Sequence, residues 1–571
     1  MTRLERYIHP YWGFIFLTLL IKLLGAVTEL MIPWLMEIML DEKVPAGDTA
    51  AIYLYGGLML LCALGCLGGN ILANRMSAIS SGRITKAIRH DLFERLQHLS
   101  ARQMDELTVP SAESRLTSDT YNINQLLARL QRMGVRAPIL LVGGGAMMLA
   151  MDATLALVLL ALLPIIALVV YFVTKTSIPL YTRQQTVLDK VVRTVQENIT
   201  GIRLIKALSK TDYEKQRFHA VNGELTQVDM KAGIVTAITN PTASLVLNLG
   251  LTLVVLIGAY RVNSGAIRSG VIVAFLQYFT MILNAMLGIT RIFVMWSKGE
   301  ASANRVADVL ATPEDLTVLP AEASEDKAPH IEFRDVSFSY TGIGKNIDCL
   351  SFSLKRGQTL GILGPTGSGK STILNLLLRL YDPDSGTVLI DGQDIRTIPY
   401  EELRKKFGVV FQNDFLTEGT VADNIRFFRE LDADALTRAA EAAQASFIAE
   451  KGGMDAEVVV RGNNLSGGQK QRLLIARALA GDPEILILDD SSSALDYQTD
   501  AKLRRALRSG YRDTTTVLVA QRVSSLRHAD LILVLQDGCV IGAGSHDDLM
   551  ETCEEYRIIA QTQMGAEKEG A

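Results

Sequence analysis

Cysteine and excess charge are both scarce in this chain of 571 residues. The five cysteines form no CxxC pair, and their odd number argues against a disulfide framework. The formal net charge is only −4, so nothing in the composition indicates a nucleic-acid-binding protein. No cleavable signal peptide is expected, because the first apolar run lacks a small-residue cleavage site and further apolar runs follow it.

Apolar residues make up 49% of the chain and are concentrated in its first 310 residues. Membrane crossing needs about 18 or more apolar residues in a row, with few charges among them. Six stretches are predicted to be membrane-spanning helices on this basis: 11–40, 51–73, 137–151, 153–174, 232–260 and 269–290. The first contains the charged residues Lys22, Glu29 and Glu37, and the third is short but extends a polar helical segment before it.

Basic residues between these stretches predict how the helices are oriented. The two long connections, 74–136 and 175–231, contain ten Lys or Arg each, whereas the short connections at 41–50, 152 and 261–268 contain three in total. Lys and Arg are enriched on the cytoplasmic side of membrane proteins. The long connections and both termini are therefore predicted to be cytoplasmic, in a multi-pass membrane protein. The long connections also show helical periodicity, which predicts extensions of the membrane helices.

Two acidic residues lie within the first predicted span. An ionisable group at membrane depth is a functional candidate by default. Glu29 is therefore a candidate for the substrate path. Glu37 lies near the outer end of the span, where a side chain can reach the interface without any special role.

A polar, proline-containing stretch separates the apolar part from the rest of the chain. Residues 311–330 contain three prolines, which predicts a linker. The chain is thus predicted to have a transmembrane domain over 1–310 and a nucleotide-binding domain over 331–571. The predicted fold class is multidomain, with an all-α six-helix transmembrane domain followed by an α/β P-loop NTPase domain.

The segment "GILGPTGSGKST" carries the strongest single motif. It fits G-x-x-x-x-G-K-[ST] between an apolar strand and an apolar helix, where backbone N–H groups form a phosphate-binding concavity. Lys370 is predicted to reach the β- and γ-phosphates, and Ser371 to offer its hydroxyl to Mg²⁺. The predicted nucleotide-binding residues of this loop are Gly364, Thr366, Gly367, Ser368, Gly369, Lys370, Ser371 and Thr372.

Two further motifs belong to the same chemistry. The run "ILILDD" predicts a buried strand that ends in Asp489, which would hold Mg²⁺ directly or through water. In "LSGGQKQR", residues Ser466, Gly467 and Gly468 precede a predicted helix, whose N–H groups can face an anion. Together with the loop about 120 residues earlier, these motifs predict an ATP site with Mg²⁺.

With these motifs in place, the chain resembles a half-transporter of the ATP-binding cassette (ABC) exporter family over nearly its whole length. The resemblance implies that Tyr340 stacks on adenine, that Gln412 contacts Mg²⁺ and the membrane domain, and that Asp496 lies at a dimer seam. It also implies that 197–208 includes the second coupling helix and its approach, and that 108–119 is the region of the first.

The resemblance further implies that two cassettes meet head to tail. Each nucleotide then lies between the phosphate loop of one chain and the LSGGQ segment of the other. The residues of this chain that would face the partner's nucleotide are Ser466, Gly467, Gly468 and Gln469.

The sequence departs from the family pattern at two positions that act on the γ-phosphate. Asp490 stands where the family has a catalytic glutamate, and Gln521 stands where it has a histidine. In phosphoryl transfer the carboxylate orients the attacking water. An amide can hydrogen-bond a γ-phosphate, but it cannot become an imidazolium. Both departures weaken hydrolysis at one site and leave its binding residues in place, so the site is predicted to hold ATP.

The chain therefore resembles the subunit of a heterodimeric exporter that carries the degenerate site. Its partner would be a second half-transporter with Glu and His at the catalytic positions, and Ser466 and Gly468 would act catalytically in that partner's site. A homodimer with two slow sites, a nucleotide-sensing regulatory subunit and an importer with the exporter fold remain as alternatives. The spans contain scattered Asn, Gln and Met, which favours a small hydrophobic or amphipathic substrate such as a drug or lipid.

Overall fold

A computed structural model describes residues 2–320, 328–491 and 495–569, except for side chains at some helix positions between 159 and 294 and from 564 onward. The chain divides into two compact units. The helical unit consists of Met1–Gln97 with Pro110–Thr312, and the cassette unit consists of His98–Val109 with Pro313–Ala571. The middle of the predicted linker, 321–327, lies outside the described residues.

Long helices make up most of the helical unit. Of the first twelve helices, the short helix α4 belongs to the cassette unit. The first twelve helices are α1 (Glu5–Ile8), α2 (Trp12–Ile38), α3 (Thr49–Gln97), α4 (Ala101–Leu107), α5 (Val109–Ser114), α6 (Thr120–Met133), α7 (Arg136–Met151), α8 (Ala153–Thr200), α9 (Ile202–Ala207), α10 (Thr211–Ala237), α11 (Thr239–Asn263) and α12 (Ser269–Ala311). Short 3-10 turns at Thr2–Leu4 and His9–Tyr11 flank α1, and π-helical turns occur at Met39–Lys43 and Arg115–Asp119.

Five helical stretches among the described residues are long and apolar enough to cross a membrane. They are Glu5–Lys43, Thr49–Gln97, Val109–Met151, Ser244–Asn263 and Ser269–Met286. The remaining predicted span, 153–174, is helical throughout, but several of its side chains fall outside the described residues. These helices pack around a core to which α12 contributes Phe275, Tyr278 and Phe279.

One predicted span differs from the structure in an instructive way. Residues 232–260 were expected to form one span, and the helix there is interrupted for one residue at Ile238, between α10 and α11, although Ile238 keeps helical dihedral angles (φ −68°, ψ −26°). Pro241 lies in the first turn of α11. Proline lacks an N–H, so the helix loses one hydrogen bond just before it, and the interruption lies at that point. Three other prolines of this unit, Pro33, Pro164 and Pro179, lie inside helices that are not interrupted.

The cassette unit contains three sheets. A six-stranded sheet has the order β12-β11-β3-β10-β9-β6, a four-stranded antiparallel sheet has the order β2-β1-β4-β5, and β7 pairs with β8. The strands are β1 (Ile331–Phe338), β2 (Ile347–Leu354), β3 (Thr359–Leu363), β4 (Ser385–Ile390), β5 (Gln393–Asp394), β6 (Phe407–Val410), β7 (Gly419–Thr420), β8 (Glu457–Val458), β9 (Ile485–Asp489), β10 (Thr515–Val519), β11 (Leu531–Gln536) and β12 (Cys539–Gly544).

Helices cover both faces of the six-stranded sheet, as expected for a mainly parallel sheet. Two hydrophobic cores result, one on each side of the buried strand β9. The helices are α13 (Lys370–Leu377), α14 (Tyr400–Lys405), α15 (Val421–Arg426), α16 (Ala433–Ala442), α17 (Phe447–Glu450), α18 (Gly467–Leu479), α19 (Tyr497–Gly510), α20 (Val523–Leu526), α21 (His546–Thr552) and α22 (Glu554–Glu569), with 3-10 turns at Ile395–Thr397 and Val460–Gly462.

A short segment from the first long connection belongs to the cassette unit. Within His98–Val109, the side chain of Asp105 accepts a 2.5 Å hydrogen bond from the Tyr381 hydroxyl, and Gln103 donates to the carbonyl of Pro313 at 2.8 Å. The expected coupling region, 108–119, overlaps this segment at only two residues and otherwise belongs to the helical unit. The assignment of 108–119 as the region of the first coupling helix therefore stays a prediction.

Candidate functional site

Parallel strands bring the predicted site residues to one edge of the six-stranded sheet. Strand β10 lies between β3 and β9 and runs parallel to both, with Val519 opposite Ile362 on one side and Asp489 on the other. The carboxyl ends of the three strands therefore meet. Ligands of open α/β sheets bind at this edge. The phosphate loop follows β3, and Gln521 lies two residues beyond β10.

Glycines in the phosphate loop permit backbone that other residues resist. Gly367 and Gly369 have φ of +87° and +102°, in the left-handed region that favours glycine. A Cβ on Gly369 would lie 2.6 Å from Ile347, and one on Gly364 would lie 2.5 Å from the carbonyl of Leu535. Open space surrounds Gly367, where an added Cβ would meet nothing within 4 Å. The loop is therefore packed closely against neighbouring residues at Gly364 and Gly369, and it is open at Gly367.

Two side chains of this loop have geometry that suits a phosphate. Ser368 is 2% exposed, and its hydroxyl has no hydrogen-bond partner among the described residues. A buried polar atom without a partner is costly unless a ligand or water satisfies it. The Lys370 ammonium is held over the loop by the carbonyls of Gly364 and Pro365, at 2.8 and 2.7 Å. Thr366 is exposed, whereas Thr372 is buried in α13.

Asp489 ends strand β9 and is almost fully buried. Burial raises the pKa of its carboxyl, and the neighbouring charge of Asp490 raises it further, while Lys370 and a hydrogen bond with Ser371 oppose both effects. Burial likewise lowers the pKa of Lys370, and the two carboxylates oppose that shift. The arrangement joins a carboxylate and a hydroxyl, both hard oxygen ligands of the kind that Mg²⁺ prefers.

The two residues that are expected to depart from the family pattern, Asp490 and Gln521, contact each other. The Gln521 side-chain amide donates a 3.0 Å hydrogen bond to Oδ2 of Asp490, although 31 positions separate them in the sequence. Asp490 has φ of +49°, and its N–H donates to the carbonyl of Val519. Asp490 is thereby fixed next to the end of β10. Sequence reasoning singled out both residues but did not foresee this bond.

The LSGGQ segment begins α18 in a capping box. The Ser466 hydroxyl accepts from the N–H of Gln469, and the Gln469 side chain accepts from the N–H of Ser466. Gly467 and Gly468 form the first turn of the helix, with Ser466 and Gly467 exposed. The helix is thus well anchored at its start, and its free N–H groups and partial positive charge can face an anion.

The three residues assigned by resemblance alone lie at the margins of the sheet edge. Tyr340 follows β1 and packs edge-on against Tyr381, with ring centroids 5.1 Å apart. Gln412 is exposed two residues after β6. Asp496 caps α19 by accepting from the N–H and hydroxyl of Thr499, and these bonds hold its pKa below the usual range.

Glu29 lies in the helical unit and forms no part of this site. Its carboxylate pairs with Arg136, the first residue of α7. The sequence analysis named the acid and missed its partner, because Arg136 lies just before an uncharged run and was counted only among the basic residues of a connection. A hydrophobicity pattern carries no signal of which helices pack together.

Comparison with known families and structures agrees with this geometry. Residues 15–286 match the ABC transporter transmembrane region, and residues 347–493 match the ABC transporter family of cassettes. A bacterial Atm1-family ABC exporter with ATP bound superimposes with a TM-score of 0.80 at 25% sequence identity, covering 97% of this chain and 98% of that one.

Several relatives are similar over most of their length. An uncharacterised ABC transporter ATP-binding protein of Mycobacterium bovis is 33% identical over 98% of this chain and 97% of its own. The corresponding protein YfiB of Bacillus subtilis is 34% identical over 99% of both chains. A fatty acid ABC transporter ATP-binding/permease protein of M. bovis is 33% identical over 81% of this chain and 74% of its own. The chain therefore belongs to the ABC transporter family, as an exporter half-transporter whose cassette binds ATP and couples its hydrolysis to transport across a membrane.

Proposed function

We propose that this chain is the degenerate-site subunit of a heterodimeric ABC exporter. Its own phosphate loop and strand β9 hold ATP, and its LSGGQ segment completes the site at which the partner chain hydrolyses ATP. The observation that carries this proposal is the hydrogen bond between Asp490 and Gln521, which joins the two departures from the family pattern.

The shorter acid weakens hydrolysis by misplacing the group that orients water. Aspartate withdraws its carboxylate by about 1 Å relative to glutamate, and a misplacement on that scale can cost about 100-fold in rate. This corresponds to roughly 3 kcal/mol of activation free energy. The site would still bind nucleotide, because binding depends on the loop glycines, Lys370 and Asp489.

The glutamine adds a second restraint on the same carboxylate. Its N–H donates to Oδ2 of Asp490, so this oxygen is already engaged when water would need an acceptor. The amide carries no titratable proton at physiological pH, so it cannot supply the positive charge that a histidine can. The restrained carboxylate and the missing imidazolium both concern one γ-phosphate, so together they favour a site that retains ATP.

Magnesium would be held at this site by Ser371 in the first turn of α13, Gln412 just after β6 and Asp489 at the end of β9. The buried carboxylate and the hydroxyl beside it fit such an ion. Bound Mg²⁺ neutralises charge on the β- and γ-phosphates during phosphoryl transfer. Tyr340 would stack on adenine, and the loop residues from Gly364 to Thr372 would contact the phosphates.

The LSGGQ half-site keeps all of its family residues. In a head-to-tail dimer, Ser466, Gly467, Gly468 and Gln469 would face the partner's nucleotide. Hydrogen-bond donors that point at the charge developing in the transition state make the largest single contribution to the rate enhancement of many enzymes. The partner is therefore proposed to be a half-transporter with the full Glu and His, so that one site of the pair hydrolyses ATP efficiently.

The remaining assignments are part of the same proposal. The transmembrane domain would span 1–310, the linker 311–330 and the nucleotide-binding domain 331–571, with both termini cytoplasmic in a bacterial cell membrane. The substrate would be a small hydrophobic or amphipathic molecule. The similarity to a transporter named for fatty acids is compatible with that class.

The test is to purify the chain alone and together with its partner half-transporter, and to measure steady-state ATP hydrolysis. The chain alone should turn over far below a typical enzyme rate of about 10 per second, and the complex should be much faster. As a matched control, the chain alone carrying Asp490→Glu and Gln521→His should regain hydrolysis as a homodimer. Turnover by the unaltered chain alone at about 10 per second would refute the heterodimer.

A further inference from the structure

Gln521 lies in a short turn whose backbone is held by a distant part of the cassette unit. The turn follows β10, which ends at Val519, and leads to α20, which begins at Val523. Gln521 is exposed in the middle of this turn, and its side-chain amide donates to Asp490. The orientation of the turn's backbone therefore decides where this amide points.

A single side chain of α22 contacts the turn at two points. Nε2 of Gln563 donates to the carbonyl of Gln521 at 3.0 Å, and Oε1 of Gln563 accepts from the N–H of Val523 at 2.8 Å. A glutamine side chain has donors on its nitrogen and lone pairs on its oxygen, so it can satisfy both backbone groups at once. The two contacts lie on either side of Arg522 and fix the backbone there.

Helix α20 depends on this contact for its cap. The first N–H groups of a helix have no partner within the helix, and a Ser, Thr, Asn or Asp side chain at the N-cap usually supplies one. Arg522 occupies the N-cap of α20 with extended backbone and makes no side-chain cap hydrogen bond. The N-terminal N–H of Val523 is satisfied by Gln563 instead, from 40 positions further along the chain.

Helix α22 is a firm base for Gln563. Tyr556, Ala560 and Gln563 are spaced at i, i+4 and i+7, so they share one face of the helix. Tyr556 and Ala560 are fully buried in the same core cluster as Val523. The Tyr556 hydroxyl also lies 2.8 Å from Nδ1 of His546 in α21, within hydrogen-bonding distance. The packing of α22 therefore holds Gln563 against the turn.

We propose that Gln563 is a positioning residue for the γ-phosphate side of this chain's own ATP site. By holding the turn at Gln521 and Val523, it directs one N–H of the Gln521 amide to Asp490 and leaves the other N–H for the γ-phosphate. Groups that bind a ligand must be held to within about 0.5 Å, which requires supporting contacts of this kind. The inference rests on the role proposed for Gln521 and identifies the residue that maintains it.

The test compares two nucleotides that differ only in the γ-phosphate. The full-length chain is purified in detergent without a partner, and its equilibrium affinities for ATP and ADP are measured with Mg²⁺, at a temperature low enough to suppress hydrolysis. Gln563→Met removes both hydrogen bonds and keeps a side chain of similar length that suits a helix. It should weaken ATP binding by about three- to tenfold, the size expected for one lost hydrogen bond, and leave ADP binding unchanged.

A second variant guards against a general loss of folding. Gln563→Glu keeps the oxygen that caps α20 and replaces only the donor to the Gln521 carbonyl, so it should show the same selective loss of ATP affinity. Damage to the fold would weaken both nucleotides alike. Equal losses of ATP and ADP affinity in both variants would therefore overturn the proposal.

Gln561 provides a matched control on the same helix. It is exposed two residues before Gln563, so Gln561→Met makes the same change away from the turn. This variant should retain the affinity of the unaltered chain for both nucleotides. A loss of ATP affinity as large as that of Gln563→Met would show that α22 acts in another way, and would overturn the assignment of Gln563.

Combined substitutions show whether Gln563 acts through Gln521. Gln521→Met should weaken ATP binding about tenfold, and adding Gln563→Met should weaken it no further. Losses that multiply would show that the two residues act independently, and would overturn the inference. A loss with Gln521→Met but none with Gln563→Met would overturn the inference alone. No loss with Gln521→Met would overturn the inference together with the proposed role of Gln521 at the γ-phosphate.

Discussion

The two ends of the cassette that can meet a nucleotide differ in how far they keep the family pattern. The end formed by β3, β9 and β10 contains the phosphate loop, Lys370 and Asp489, and the two residues proposed to weaken hydrolysis, Asp490 and Gln521, are hydrogen-bonded to each other there. The end formed by α18 retains LSGGQ without change and is fixed by a capping box.

In the proposed heterodimer, this difference would let the chain lose hydrolysis at its own nucleotide without loss of transport. In a head-to-tail dimer the two ends serve different nucleotides. An altered strand edge then affects only the nucleotide of its own chain, while an intact LSGGQ segment still supports cleavage of the partner's. Variants that alter one end and not the other should therefore differ in their effect on ATP hydrolysis.

The largest effect is expected from Gly468→Asp in the complex. A carboxylate in the first turn of α18 would repel the γ-phosphate of the partner's nucleotide and remove stabilisation of transition-state charge. One lost donor of this kind costs about 10²–10³ in rate, so steady-state ATP hydrolysis should nearly disappear. Gly510→Asp is the control, since Gly510 ends α19 in open space. If both variants lose activity equally, a general effect of added acid explains the result.

A smaller effect is expected from Ser466→Ala. The change removes the cap of α18 and costs about 1 kcal/mol of stability, as other serine caps do. It should also lower turnover about tenfold, because the hydroxyl would face the partner's nucleotide. Ser545→Ala removes an equivalent capping box from α21. The two variants should lose similar thermal stability, but only Ser466→Ala should lose turnover. Similar turnover in the two variants would show that the Ser466 hydroxyl does not act at the partner's nucleotide.

The next effect concerns the altered strand edge. Asp490→Glu with Gln521→His should restore water activation at this chain's own nucleotide, so turnover of the complex should rise to roughly double that of the unaltered complex. Each single change should give less than the pair, because both groups act on one γ-phosphate. Trapping of labelled nucleotide at each site is the measurement. No new trapped product at this chain's site would show that the short acid is not what limits it.

The cassette was predictable from sequence because its function is encoded in local spacing. The glycines of 364–371 and the apolar run 485–488 each specify a loop or strand within about ten residues. Pairing parallel strands then brings their carboxyl ends together without further information. The fold class and the presence of an ATP site followed from these patterns.

Other features escaped prediction because they depend on long-range packing. The bond between Asp490 and Gln521 and the pairing of Glu29 with Arg136 each join residues far apart in the chain. The segment 98–109 lacks any motif, so its place in the cassette unit was not predicted. Hydropathy located the spans but carries no signal of the one-residue interruption at Ile238, three residues before Pro241.

The most direct test of the central claim compares Asp490→Ala with Gly468→Asp in the same heterodimeric complex. Asp490→Ala removes a short acid from a site that is proposed to hold ATP, so steady-state hydrolysis should fall by no more than about twofold, while Gly468→Asp should lower it by about 10²–10³. The ratio of the two losses should therefore be on the order of 100. Equal losses would show that both nucleotides are hydrolysed alike, and would contradict the asymmetric account.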